Sequence, residues 1–215
     1  ISNFMRGLKD DLQFFKLNLI GGDTTKTLDK TVLSLTIFGN LINDKFVRRS
    51  SAKSGDYIYV SGTIGDSALG LHCKKKARVN ILKKHKEFLL NRYLKPTPRI
   101  DLFNYININA SASTDISDGL YSDLKNICRT SNLGADIDFN AIPLSNSAKA
   151  IVSKYPKLSK LILNGGDDYE LLFTGRDGLD RNKNITKIGK MKKGYNINII
   201  DFDDITNLDG YKHKF

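Results

Sequence analysis

STDISDGL, residues Ser113–Leu120, packs Asp115, Asp118, hydroxyl side chains and a glycine together, with Ile116 and Leu120 its only sizeable apolar side chains. SASTDI (111–116) before it reads as a strand and Leu120 to Thr130 after it as a helix. Asp115 then sits at a strand end and Asp118 beside a helix start, with Gly119 letting the backbone turn sharply. The same alternation extends in both directions. Downstream come strand GADIDF (134–139), helix Ser145 to Lys154, strand YELLFT (169–174), and strands around ITKIGKM (185–191) and YNINIID (195–201). Upstream lie strand YIYVSG (57–62), a glycine turn, a helix from about Ser67, a basic helix to Leu94, the stop KPTPR (95–99) and a short helix near Leu102. The expected fold class is α/β, in the form of an α+β mixed sheet with flanking helices.

Nearer the amino terminus, Ile1, Phe4, Met5, Leu8, Leu12 and Phe15 recur at helical spacing. LNLIGGDTTK (17–26) reads as a short strand running into a Gly-Gly turn, and TVLSLTIFG (31–39) as a strand with Leu33, Leu35 and Ile37 on one face. The polar, turn-rich NDKFVRRSSAKSGD (43–56) marks a boundary between a domain of residues 1–42 and one of residues 43–215. With Ile1 first and a helix already under way, the chain reads as a fragment.

The apolar fraction of 40%, with 11 Phe and 9 Tyr in 215 residues, is that of a globular protein. The longest apolar runs, such as Leu33–Phe38, fall short of the ~20 residues that span a bilayer, so no membrane partner is expected. Cys73 and Cys128 are far apart, with no CxxC pairing and no secretory leader, which points to buried thiols in a reduced, cytoplasmic setting. The net charge of +11 concentrates in KKKARVNILKKHKEF, Lys74 to Phe88. This reads as a solvated helix face, with Ile81, Leu82, Phe88 and Leu89 on the buried side, rather than as a nucleic-acid surface, because no aromatic platform interleaves the lysines. His72, His85 and His213 lack zinc-ligand spacing, no GxSxG occurs, and neither cysteine has a histidine placed to activate it, so zinc and hydrolase chemistries drop out.

Two other turns repeat the theme of a carboxylate delivered by glycines at a strand edge: GGD (21–23) and NGGDDYE (164–170). Taken alone, Ser117 or Asp118 reads as a helix N-cap. Taken with the other turns, the carboxylates read as ligands for Mg²⁺, which phosphoryl transfer holds through one or two carboxylates plus nucleotide phosphates. SGTIGDSALGL (61–71) opens a helix whose N–H groups favour an anion, although it matches neither a Walker A loop nor GxGxxG, and a plain structural turn accounts for it equally well.

LIGGDTT (19–25), RSSAKSGDYIYVSGTIGDSALGL (49–71), KPTPR, STDISDGLYSDL (113–124), NGGDDYELLF (164–173) and the ending GYKHKF (210–215) occur in an order and at separations that resemble the thiamine-monophosphate kinase family. That family lies within a wider group of ATP-using enzymes related to aminoimidazole ribonucleotide synthetase. The resemblance implies the carboxy-terminal domain of that fold, preceded by the tail end of an amino-terminal domain that forms a barrel in homodimers. It implies direct transfer of the γ-phosphate of ATP to thiamine monophosphate, giving thiamine diphosphate, with Mg²⁺. On that pattern Asp23, Asp115 and Asp118 bind Mg²⁺, and Gly22, Asp23, Arg49 and Ser117 contact ATP. Asp167 and Tyr211 hold the thiamine portion, and no residue acts as a catalytic base. The chain has Asp167 where the family has Glu, and it lacks the Asp-Asp turn of the family's amino-terminal domain, so the expected site is incomplete in these residues alone. The alternative expectations are a catalytically incomplete nucleotide-binding module of the same fold, or another ATP-using synthetase of the group.

Overall fold

Phe4, Met5, Leu8 and Leu12 fall on one helix, α1 (Ser2–Phe14), in the computed structural model, which describes residues 1–41, 45–76, 79–202 and 208. The chain divides into two compact units, Ile1–Asn40 and Leu41–Phe215. In the first unit α1 is followed by chain in neither helix nor strand, where two strands were expected. Leu33, Leu35 and Ile37, expected on the covered face of a strand, are 66%, 71% and 68% exposed. Alternation prepares a segment for a sheet but cannot make one: a lone strand leaves its N–H and C=O groups unpaired, and Ile1–Asn40 offers it no partner strand.

The second unit runs β1 (Tyr57–Ser61), α2 (Asp66–Lys75), α3 (Lys83–Leu94), a 3₁₀ turn (Ile100–Leu102), α4 (Phe103–Asn109), β2 (Ala110–Asp115), α5 (Leu120–Ser131), β3 (Gly134–Asp138), α6 (Asn146–Lys154), α7 (Lys160–Asn164), β4 (Leu171–Gly175), β5 (Ile185–Lys192) and β6 (Ile197–Ile200). The strands form one sheet in the order β2-β4-β1-β5-β3-β6. All neighbours are antiparallel except β3 and β6, which are parallel, so the sheet is mixed. The expected fold class is the observed one. The basic stretch is split between α2 and α3; of the residues expected on its buried side, Leu89 is fully buried and Ile81 partly so, whereas Leu82, which lies between the two helices, and Phe88, on α3, are exposed.

Burial on both faces of the central strands explains the sequence of β1. Ile58 and Val60 point into the larger core with Leu172, Leu120, Leu124, Ile127 and Ile162, while Tyr59 points into a smaller one with Phe173, Leu102, Ile106 and Ile185. Tyr59 and Phe173 are register partners and stack with their rings 5.3 Å apart. Helices therefore flank the sheet on both sides, and the strand ends are left to carry turns. α6 is capped by Ser145, whose Oγ accepts from the Ala148 N–H at 2.9 Å and donates to Asp66 Oδ1 at 2.5 Å, tying α6 to the start of α2.

Candidate active site

The turn between β2 and α5 is organised by a residue beyond it. Oδ2 of Asp123, on the first turn of α5, accepts the N–H groups of Ser117, Asp118 and Gly119 at 3.0, 3.1 and 3.2 Å. Neither Ser117 nor Asp118 caps the helix: the position before it is Gly119, at φ 123°, with no side-chain cap. The N-cap reading of these two residues is thereby corrected, since the turn's N–H groups point inward to a buried carboxylate and its side chains are left for other use. Burial pushes the Asp123 carboxyl up to about 6, opposed by the N–H bonds and reinforced by repulsion from Asp118 and Asp115. On the strand side, Arg49 Nη2 lies 3.7 Å from Asp115 Oδ1, and its Nε donates to Thr114 Oγ1 at 2.9 Å.

The glycine-acidic segment 164–170 lies directly across from this turn. The Asp167 N–H donates to the Ser117 carbonyl at 3.0 Å, the Tyr169 N–H to Ile116 at 2.9 Å, and the Ile116 N–H returns to Glu170 at 2.8 Å, so pairing continues past the end of the β2–β4 ladder. Approach this close demands glycine at 166, where a Cβ would sit 2.0 Å from the Ser117 carbonyl oxygen. Asp167 and Tyr169 adopt left-handed backbone, φ 66° and 51°.

Between them, Asp168 is fully buried and its two oxygens accept the Gly65 and Ser67 N–H groups at 2.6 and 3.0 Å. Burial pushes its carboxyl up to about 7, against the pull of those bonds. The anion-favouring start of α2 is thus filled from within the chain, and SGTIGDSALGL is a structural turn. Glu170, also fully buried, takes Ser61 Oγ and Arg99 Nε on one oxygen, each at 2.6 Å, and Arg99 Nη2 and Arg92 Nη2 on the other at 2.6 and 2.8 Å. The pair with Glu170 holds the Arg99 guanidinium above its ordinary pKa. Residues from SGT, GDS, KPTPR and DDYE therefore meet in one buried polar network. It anchors the 164–170 segment, whose backbone pairs with the β2–α5 turn.

A profile described as AIR synthase related protein, C-terminal domain, matches residues 53–179. The chain is 35% identical over 202 residues to thiamine-monophosphate kinase of Aquifex aeolicus, covering 90% of this chain and 63% of that protein. It is 40% identical over 176 residues to the enzyme of the same name from Haemophilus influenzae, covering 81% and 52%. A solved Aquifex aeolicus thiamine monophosphate kinase superposes with a TM-score of 0.79 over 93% of this chain and 67% of its own, at 31% identity. A further solved structure, AaThiL complexed with AMPPCP and TMP, superposes with a TM-score of 0.81 over 99% of this chain and 68% of its own, also at 31% identity. The chain belongs to the thiamine-monophosphate kinase family. It spans between about half and two thirds of the length of the curated relatives it matches.

Of the residues expected from the thiamine-monophosphate kinase pattern, the structure brings Asp115, Ser117, Asp118 and Asp167 to one edge of the sheet, with Arg49 beside Asp115. Gly22 and Asp23 belong to the first unit, where Asp23 Oδ1 accepts the Thr24 N–H at 2.8 Å. Tyr211 lies outside the described residues. Among the described residues no group of three or more His, Cys, Asp or Glu side chains is gathered to hold a metal ion. Asp115 and Asp118 have the hard oxygen chemistry that Mg²⁺ prefers, yet within these residues they offer only part of a coordination shell. A groove of about 500 Å³ lined by Lys53, Asp56, Ile108, Asn109, Ser111 and Arg176 lies at the opposite ends of β2 and β4 and includes none of these groups. Asp123, Asp168, Arg92 and Arg99 were not singled out from the sequence. KPTPR and the second Asp of GGDDYE were visible as motifs, but their partners are distant in the chain, with Arg99 and Glu170 71 positions apart.

Proposed function

We propose that the chain is the larger part of an ATP-dependent thiamine-monophosphate kinase. The γ-phosphate of ATP passes to a phosphate oxygen of thiamine monophosphate, releasing ADP and forming thiamine diphosphate. The acceptor is already an ionised oxygen, so alignment and charge neutralisation carry the reaction and no side chain need remove a proton. The observation that supports this best is the division of labour among carboxylates. Asp123 and Asp168 are buried and bind backbone N–H groups, Asp123 through Oδ2 and Asp168 through both oxygens, whereas Asp115, Asp118 and Asp167 lie along one edge, available to ligands. On this reading Asp115 and Asp118, with Asp23, hold Mg²⁺, which when bound offsets phosphate charge. Gly22, Asp23, Arg49 and Ser117 hold the nucleotide, and Asp167 and Tyr211 hold the thiamine portion.

Residues 1–42 then belong to an amino-terminal, dimer-forming domain and residues 43–215 to the carboxy-terminal one. We assign a homodimer to the full-length form, a cytoplasmic setting, and neither nucleic acid nor membrane as partner. No described helix is long and apolar enough to cross a membrane. The absence of a three-carboxylate group among the described residues favours a second reading, a nucleotide-binding module without turnover.

The test is thiamine diphosphate formation, with ATP and Mg²⁺, by this chain joined to a full amino-terminal domain of the family, in parallel with calorimetric binding of each substrate; the 215 residues alone, with their partial carboxylate set, are expected to form none. Mg²⁺-dependent product, lost at least 100-fold in Asp115→Asn and Asp118→Asn with unchanged melting temperature, is the expected result. Binding without product selects the second reading. Failure to bind either substrate refutes both.

A further inference from the structure

Tyr169 is a bulky residue at φ 51°, a backbone region that suits glycine or asparagine far better. Its backbone has a task that any such residue could perform, donating its N–H to Ile116 at 2.9 Å. Its neighbours in the chain, Asp168 and Glu170, are wholly buried and fully engaged, whereas Tyr169 is 39% exposed. Among the described residues its ring stacks on no other aromatic group and its hydroxyl meets no hydrogen-bond partner. Neither the turn nor the core explains why this position carries a tyrosine. Strained residues that the surroundings force into place gather at ligand sites, and here both flanks of the residue are locked.

The surroundings of the ring indicate what ligand it suits. Asp167, Asp115 and Asp118 all lie close enough to repel an ionised phenol, which, after burial, holds the hydroxyl above its ordinary pKa and in its neutral form. An uncharged aromatic ring beside Asp167, a carboxylate not given to Mg²⁺, is attractive to a flat organic cation: Asp167 supplies the potential and the ring face supplies contact area and its quadrupole. We infer that Tyr169 is a substrate-contacting, specificity-determining residue whose ring lies against the heteroaromatic cation of the acceptor, the thiazolium of thiamine monophosphate. The inference rests on the kinase reading above and adds to it a recognition element on the same edge as Asp167.

Calorimetric titration of the whole chain with thiamine monophosphate, with thiamine and, separately, with ATP and Mg²⁺ tests it in Tyr169→Phe, Tyr169→Leu and Tyr169→Gly. Phe keeps the ring and stays within about twofold of the parent. Leu keeps similar bulk at the same strained backbone but lacks the π face, and weakens thiamine monophosphate and thiamine by about 2- to 30-fold. Gly removes the side chain and the strain together, so it lowers affinity at least as far as Leu without lowering the melting temperature. ATP affinity is unchanged in all three. Equal thiamine monophosphate affinity for parent, Leu and Gly overturns the inference and leaves the kinase reading intact. If the parent binds ATP but neither thiamine compound, or binds nothing, the kinase reading falls and the inference falls with it.

Discussion

Arg99 grips Glu170 with two parallel hydrogen bonds, Nε to Oε2 and Nη2 to Oε1, each 2.6 Å, across a carboxylate with no exposed surface. Arg92 adds a third guanidinium bond at 2.8 Å and also lies 4.0 Å from Asp66 Oδ2. Glu170→Ala strands Arg99 in a largely buried site, leaves Arg92 only its longer contacts, and should cost about 3–5 kcal/mol, read as a fall in denaturant midpoint at unchanged m-value. Arg99→Lys keeps the charge but loses the fork, and should cost about 1–3 kcal/mol. Equal stability of the lysine variant and the parent would show that charge alone matters at this position.

Asp123 offers a second stability test with a different mechanism. Removing its carboxyl in Asp123→Ala leaves three successive N–H groups in a buried turn without their acceptor. A loss of about 2–4 kcal/mol is expected, while Asp118→Asn, whose side chain caps nothing, should change stability by less than about 0.5 kcal/mol. Chemical denaturation of both variants separates the roles, and an Asp118→Asn loss as large as that of Asp123→Ala would reinstate Asp118 as the cap.

These contrasts mark where sequence reading succeeds and where it stops. β2, α5 and the GGDDYE segment follow from local pattern, because apolar period and glycine placement are short-range properties. The segment at 31–39 reads as a strand but forms none, because strand formation depends on a partner the pattern cannot name. Which of the two aspartates accepts backbone N–H groups was equally hidden: Asp167 and Asp168 are adjacent and chemically identical, and only the position of Gly65 and Ser67, about a hundred residues upstream, tells them apart.

Stability should fall as pH rises through the weakly acidic range. The folded-state carboxyls of Asp168 and Asp123 are raised to about 7 and about 6 from a reference of 3.8, so between those limits the folded chain binds more protons than the unfolded one. The slope of unfolding free energy with pH is then negative from about pH 4 to about pH 7, and this contribution levels off above pH 7. Asp66, also raised by burial, adds in the same sense, while Arg92 opposes it at Asp168. Melting curves from pH 4 to 8 should show Asp168→Asn with a shallower decline than the parent. A parent stability that climbs across this window, with the same climb in Asp168→Asn, would contradict the assignment.

Gly166 links the fold to the site most directly. A Cβ there would meet the Ser117 carbonyl oxygen at 2.0 Å and its carbon at 2.9 Å, and neither is a flexible side-chain end that could swing away. Gly166→Ala must therefore push residues 166–169 off the Ser117 turn and stretch or break the bond from the Asp167 N–H to the Ser117 carbonyl, now 3.0 Å. Overpacking of this kind costs about 1–3 kcal/mol, within what a folded unit of this size tolerates. The binding consequences should be uneven. Asp167 and Tyr169 move with the segment, so thiamine monophosphate affinity should drop at least tenfold. Asp115 and Ser117 stay anchored by β2 and by Asp123, so ATP affinity should change less than threefold. Calorimetric titration of both ligands against Gly166→Ala, with circular dichroism to verify the fold, reads this split. An equal loss for both ligands would mean that the two turns respond as one rigid body, and no loss for either would mean that Asp167 is not part of the site.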